Sequence, residues 1–558
     1  MSFSYEDTRD SEHLRLLTPA IDAFIGRSQN PLATASTCPR QTAFFFAGGL
    51  ATQLLRATKK FRDGVTKPQT FDYEVVWVTE ETLNRGTVRN LKMHRDASGV
   101  FRDMGDRIIV GSGVIYAPLY DGFIDWCANN NLELFVFDWD WRRRLEDTVT
   151  FFVHKFLPFF QARVLAAGLP DPLANFSLIG HSFGGMIVNL ILRGNDPIVA
   201  NLARVITVAT PFYGYAAQVH RWFEGDSLVN GPNDIFKEDV MEVVASLPAL
   251  YTLHYLDEAT YRERATQSGL ALDPDFPIAS YPSMDATIAT LRADPYNPKT
   301  NGSLVRYPAM TGFDLAELDY ARLQAQQLAG PMPANLAEKF YNIRGVNTQS
   351  DQQTPTGSTS GNVTWNWIPP SFESTDPTPI VDGDKVPGDD TQPAWSARLA
   401  TNAPARCITV RASDISHMVI MNNSRILDTL ASILCAPGAA MSPPVPTQPE
   451  PASDEDLVAF MRWLHTRPRR KTPWPRFDDP ALRDLVPLEF REKLPAIMLR
   501  IVMDIMKRPG PPGLSGPAGG APGTRPPGPK RGRPKKPARK PSARKPAAGR
   551  RRRRRRAG

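Results

Sequence analysis

The chain has 558 residues, of which 42% are hydrophobic, 9% aromatic and 22% charged. That excludes a wholly disordered chain and is ample for a buried core, in one large domain or two to four average ones. The net charge of +8 is uneven: residues 525–558 hold seventeen Lys/Arg and no Asp/Glu, which leaves 49 basic against 58 acidic residues in 1–524.

No run of eighteen apolar residues occurs, so no bilayer-spanning helix is expected. The start, MSFSYEDTRD, carries acids where a secretion signal carries positive charge. Four scattered cysteines (Cys38, Cys127, Cys407, Cys435) suit neither a disulfide scaffold nor a zinc motif, and read as reduced thiols of a cytoplasmic protein.

Residues 1–37 form a weakly patterned extension. Short apolar runs follow at Thr42–Phe46, Glu74–Val78, Arg107–Val110, Leu134–Phe137, Phe176–Ile179, Val205–Val208, Phe340–Ile343 and Cys407–Val410. They are rich in β-branched and aromatic residues and mostly bounded by turn formers, as buried strands are. Helical patterns at Tyr120–Asn130, Leu145–Ala167 and Gly184–Leu192 lie between them. Strands alternating with helices predict an α/β domain over 38–435, a mostly parallel sheet with helices on both faces. The alternation lapses over about 212–339, which reads as an inserted helical cap. A Pro-rich linker spans 436–453, and amphipathic helical patterns occupy 454–508. From 509 onward, twelve Pro and ten Gly in fifty residues predict a disordered tail.

The sharpest motif is Gly180-His181-Ser182-Phe183-Gly184-Gly185. It follows a strand and opens a helix, the context a nucleophile elbow needs. The turn is tight enough that side chains two before and two after the serine would clash. In this architecture the order along the chain is serine, acid, histidine. Of eight histidines, His417 alone follows the last strand and precedes a helix, Asn422–Leu434. The acid is sought in Val381-Asp382-Gly383-Asp384-Lys385-Val386-Pro387, with Asp384 first and Asp382 second. Its carboxylate would fix the imidazole tautomer. The oxyanion needs two N–H donors, expected at Phe183 and at Gly49 in the loop after the first strand. No metal or organic cofactor is required by this chemistry.

These blocks together resemble the lecithin:cholesterol acyltransferase family of α/β-hydrolases, which includes lysosomal phospholipases and phospholipid:diacylglycerol acyltransferases. FFFAGGLATQLL is similar to the family's first strand and oxyanion loop, with Ala47 where proline is usual. FDWDWR, LIGHSFGG, ITVATPFYG, SLPALYTL, YNIRGVNTQS, VDGDKVP and ISHMVIMNN follow in the family's order, over about residues 42–434. The resemblance implies an α/β-hydrolase fold, acyl-ester chemistry, and a catalytic acid at Asp384 rather than Asp382. The lid disulfide of secreted members has no counterpart, since no cysteine pair flanks 55–75.

In the tail, Arg531-Gly532-Arg533-Pro534 resembles an AT-hook: extended, slim at glycine, with two guanidinium groups fit for a narrow minor groove. Seven arginines, 550–556, follow. Nucleic acid, an anionic membrane surface, or no specific partner all remain open for this segment. The sequence thus predicts a serine esterase or acyltransferase acting on a lipid-like ester. The alternatives are a polyester depolymerase with the same triad, or a nucleic-acid-binding protein on an inert hydrolase fold.

Overall fold

The structure, a computed structural model, describes residues 3–31, 36, 38–64, 68–79, 82, 87–194, 196–214, 237–253, 262–263, 266, 314–330, 332–348, 363–365, 385–389, 391–399, 406–435, 452–466 and 485–507. Most of the cap interval 212–339, the linker and the tail lie outside that set.

Thirteen strands are named in chain order: β1 Gln41–Phe46, β2 Thr52–Ala57, β3 Tyr73–Trp77, β4 Met93–Arg95, β5 Phe101–Asp103, β6 Ile109–Ile115, β7 Leu132–Phe137, β8 Phe176–His181, β9 Leu202–Val208, β10 Phe340–Asn347, β11 Val363–Trp365, β12 Lys385–Pro387 and β13 Cys407–Ala412. Six of them form one sheet in the order β13-β10-β9-β8-β1-β7, every pair parallel. The chain leaves β1 for β7 on one side and returns to β8 on the other. β1 and β8 therefore flank a switch point, where the loops leaving two neighbouring strands part and open a crevice. β2, β3 and β6 make a separate antiparallel sheet, and β4 pairs with β5.

The run Phe44-Phe45-Phe46 explains why both faces of the sheet are covered. Side chains alternate along a strand. Phe44 packs on Phe152, Phe156 and Phe160, and Phe46 on Phe152. Phe45 points the other way, onto Tyr120, the N-cap of the helix Asp121–Asn129, and onto Phe123 within it. Phe152 and Phe156 of the first group lie in a π-helical turn, Phe152–Phe156, that joins the helices Leu145–Phe151 and Leu157–Ala166, and Phe160 lies in the second of these. That turn precedes Pro158, which cannot donate to the helical ladder.

Residues Tyr5–Gln29, expected to be weakly patterned, form one long helix capped by Ser4, whose hydroxyl accepts the Asp7 N–H. Its buried stripe is Tyr5, Thr8, Arg9, His13, Leu17, Ile21, Phe24 and Ser28. The spacing is helical, but half the stripe is polar, which blurs the apolar periodicity. The polar members are answered from the body. Arg143 pairs with Glu6 at 3.1 Å, and Tyr5 donates to Asp103 at 2.6 Å. The adjacent Arg142 is fully buried between Asp103 (2.7 Å) and Asp140 (2.6 Å), and Arg144 reaches Glu317 on the helix Leu315–Leu328 at 2.5 Å. Three consecutive arginines after β7 thus anchor the N-terminal helix, the β4–β5 hairpin and a helix of the cap interval.

The thiol expectation is corrected. Cys38, ahead of β1, is disulfide-bonded to Cys435, directly after the helix Ser424–Leu434, with Cα atoms 5.1 Å apart across 397 residues of chain. Cys127 and Cys407 are free. A cytoplasmic location argued from reduced thiols loses that support, because such bonds persist in oxidising compartments. Among the described residues, no helix is long and apolar enough to cross a membrane. The helices Asp454–Thr466 and Leu494–Lys507 contribute Leu457, Phe460, Ile497 and Ile501 to the main core, and Tyr116 donates to the Pro495 carbonyl at 2.8 Å.

Candidate active site

Ser182 directly follows the six buried residues of β8 and caps the helix Phe183–Arg193. Its backbone has φ 52° and ψ −124°, a strained left-handed conformation for a side-chain-bearing residue. Two bonds hold the turn: Ser182 N–H to the Val208 carbonyl at 2.8 Å, and Gly185 N–H to the Ser182 carbonyl at 2.9 Å. The flanking glycines are required by space. A Cβ on Gly180 would lie 2.5 Å from the Gly184 carbonyl oxygen, and one on Gly184 would lie 2.2 Å from that of Phe46.

His417 lies across the crevice, after β13, and its Nε2 is 2.8 Å from Ser182 Oγ. The carboxylate on its other side is that of Asp389, with Oδ2 2.8 Å from Nδ1. Both His417 and Asp389 are 1% exposed. Here the acid expectation is corrected. The imidazole has one Nδ1 position, and Asp389 occupies it. Asp384 and Asp382 lie outside the described residues. Asp389 is shaped for the part: its other oxygen accepts N–H groups of Gln392 (2.7 Å) and Thr391 (3.3 Å), and its carbonyl accepts the His417 N–H (2.8 Å). The acid and histidine loops are both tied to the end of β10. There Asn347 donates its N–H to the Gly388 carbonyl at 2.8 Å and its side-chain amide to the Ile415 carbonyl at 2.5 Å.

This is a proton-relay geometry. With Asp389 accepting from Nδ1–H, the Nε2 lone pair is free to take the Ser182 proton. Phe183 begins a helix, where an N–H has no intrahelical acceptor and the helix dipole favours negative charge. Gly49 approaches it closely: a Cβ there would fall 2.9 Å from Phe183 Cδ1. The two expected oxyanion donors are therefore neighbours beside the serine.

One group in the site was not anticipated. His181, the residue before the serine, is 1% exposed, and its ring lies 4.9 Å from that of His417. Burial, and secondarily His417, hold its pKa well below the ordinary histidine value. It stays neutral at working pH. Arg531, Gly532, Arg533 and Pro534 lie outside the described residues.

No family model matches the chain, and no curated protein matches it. Among solved structures, a chain from "The crystal structure of Tle4-Tli4 complex" is similar over 72% of this chain and 99% of its own length, at 14% identity and a TM-score of 0.37. A likeness that loose assigns neither a family nor an activity.

Proposed function

We propose that the protein is a serine esterase or acyltransferase of the α/β-hydrolase type. The observation that carries this reading is the unbroken line of two 2.8 Å contacts from Ser182 Oγ through His417 to Asp389. The strained elbow at a switch point of a parallel sheet supports it.

In this reading Ser182 Oγ attacks the acyl carbon while its proton passes to His417 Nε2. Asp389 holds the imidazolium. The N–H groups of Phe183 and Gly49 receive the oxyanion. As the tetrahedral centre collapses, the ester C–O bond breaks and the alcohol takes the proton from His417. Water or an acceptor alcohol then repeats the sequence on the acyl-enzyme. The ordered blocks that resemble lecithin:cholesterol acyltransferases favour a lipid-like ester. The test is a panel of p-nitrophenyl esters of rising chain length, phosphatidylcholine vesicles and polyhydroxybutyrate granules, with Ser182→Ala as baseline. Turnover by the parent on vesicles or long-chain esters supports the reading, and preference for the granules moves it to the depolymerase. No turnover above the Ser182→Ala baseline on any substrate rejects both.

A second property rests on the tail alone. Seventeen basic residues without an acid attach the chain to a polyanion by counterion release. The Arg-Gly-Arg-Pro segment favours duplex nucleic acid. Full-length chain and a chain lacking 525–558 should differ in DNA affinity, with a salt slope of about 0.9 per phosphate neutralised. Equal affinities, or a preference for anionic vesicles over DNA, would reject the nucleic-acid assignment.

A further inference from the structure

The loop that carries Gly49 is gripped by buried aromatic side chains to which the acyl-transfer steps give no role. Trp139 Nε1 donates to the Ala47 carbonyl at 3.1 Å, and Trp77 Nε1 to the Leu50 carbonyl at 2.8 Å. Between them, the Gly48 N–H donates to the hydroxyl of Tyr120 at 3.0 Å. That hydroxyl is also 2.9 Å from His181 Nδ1. Tyr120 is fully buried, and burial raises its phenol pKa, so it keeps its proton.

The Tyr120 oxygen accepts the Gly48 N–H and bonds neutral His181 at Nδ1, as donor or as acceptor according to the imidazole tautomer, so one hydroxyl bridges the two loops in either case. The chain of contacts runs from the loop after β1, through the N-cap of the helix Asp121–Asn129, to the residue beside the nucleophile. Its far end, His181, lies against His417, the ring that becomes cationic during the reaction.

We propose that Tyr120 is a positioning residue, whose hydroxyl ties the Ala47–Gly48 peptide, directly before the one that carries the Gly49 N–H, to the elbow through His181. This rests on the acyl-transfer reading of Ser182. Two consequences follow. The Gly49 N–H is aimed before the reaction begins, which is what makes an oxyanion donor effective. His181 is held in place as a buried, neutral ring, so it adds no repulsion to the imidazolium of His417.

The experiment uses the full chain with p-nitrophenyl butyrate, measuring kcat and KM separately, with thermal midpoints alongside. Tyr120→Phe removes one oxygen. It should lower kcat by about tenfold to a hundredfold, less than the ~100- to 1000-fold cost of deleting a donor outright. KM should stay within about twofold, since ground-state binding is untouched. A second pair of variants separates positioning from packing. His181→Asn keeps an acceptor close to the Nδ1 position, and His181→Leu has none. The asparagine variant should exceed the leucine variant in kcat by about tenfold. A folded Tyr120→Phe with kcat within twofold of the parent overturns the proposal. If Tyr120→Phe does not fold, equal kcat in the two His181 variants overturns it. A parent chain inert toward this ester and every other substrate of the panel overturns the enzyme reading and this proposal together, whereas an active parent with an equally active Tyr120→Phe overturns the proposal alone.

Discussion

Replacing Asp389 by asparagine separates the acid seen in the structure from the acid read in the sequence. The geometry dictates how the amide must sit. Oδ1 of Asp389 accepts the Gln392 N–H at 2.7 Å and the Thr391 N–H at 3.3 Å, so the amide oxygen takes that side. The NH2 group then faces His417 Nδ1, where Oδ2 lies 2.8 Å away in the parent. A donor there forces Nδ1 to accept and moves the ring proton to Nε2. Nε2 can no longer accept from Ser182, and the general base is lost. The backbone bonds of the loop remain, so folding should be little affected. The expected loss in kcat is about 1,000- to 10,000-fold, the scale for a triad held in the wrong tautomer, or about 4–5.5 kcal/mol in the barrier. KM should change little. Steady-state kinetics on a soluble p-nitrophenyl ester, with Asp384→Asn and Asp382→Asn in parallel, measures it. Both should stay within about threefold of the parent, because His417 Nδ1 already has its carboxylate in Asp389. An Asp389→Asn enzyme within tenfold of the parent, or a thousandfold loss in Asp384→Asn, would refute the assignment.

Other consequences concern the scaffold. Denatured without reductant, the chain should titrate two thiols, Cys127 and Cys407, rather than four. Replacing Cys38 and Cys435 by serine should lower stability in denaturant by on the order of 4–5 kcal/mol, given the loop it closes; four thiols in the untreated protein would contradict this. Gly184→Ala places a methyl 2.2 Å and 2.6 Å from two backbone oxygens that cannot move aside, and should cost at least ~3 kcal/mol by thermal or chemical unfolding. His181 is buried neutral, so the unfolded chain takes up a proton that the native state refuses. Its contribution is fully present above about pH 6.5 and is lost as pH falls below it, by up to ~1.4 kcal/mol per pH unit. His181→Asn should flatten the stability profile between pH 6.5 and 5; an unchanged slope would show that His181 does not supply it.

Much of the sheet was legible because its strands are buried on both faces and stand as short apolar runs between turn residues. Ser182 and His417 were legible for different reasons. The serine sits in a motif with a steric cause, and the histidine was isolated by chain order among eight candidates. Asp389 was not legible. Four aspartates, 382, 384, 389 and 390, crowd one turn-rich stretch, and family likeness favoured Asp384. The usable signal was local: Asp389 is followed by residues whose N–H groups it can cap with one oxygen, leaving the other for the imidazole. The N-terminal helix was obscured by Thr8, Arg9, His13 and Ser28 in its buried stripe. The disulfide joins cysteines 397 residues apart, a proximity that exists only once the sheet is folded. Tyr120 carries no motif at all; its part depends on two loops meeting in space.

The central claim is that Ser182 is a nucleophile activated by His417. Mass spectrometry of the intact chain after fluorophosphonate treatment tests it most directly. One adduct is expected, mapped to the peptide holding Ser182, absent from Ser182→Ala and formed at least ~100-fold more slowly in His417→Ala. An unmodified parent chain, or an adduct of equal yield in Ser182→Ala, would contradict it.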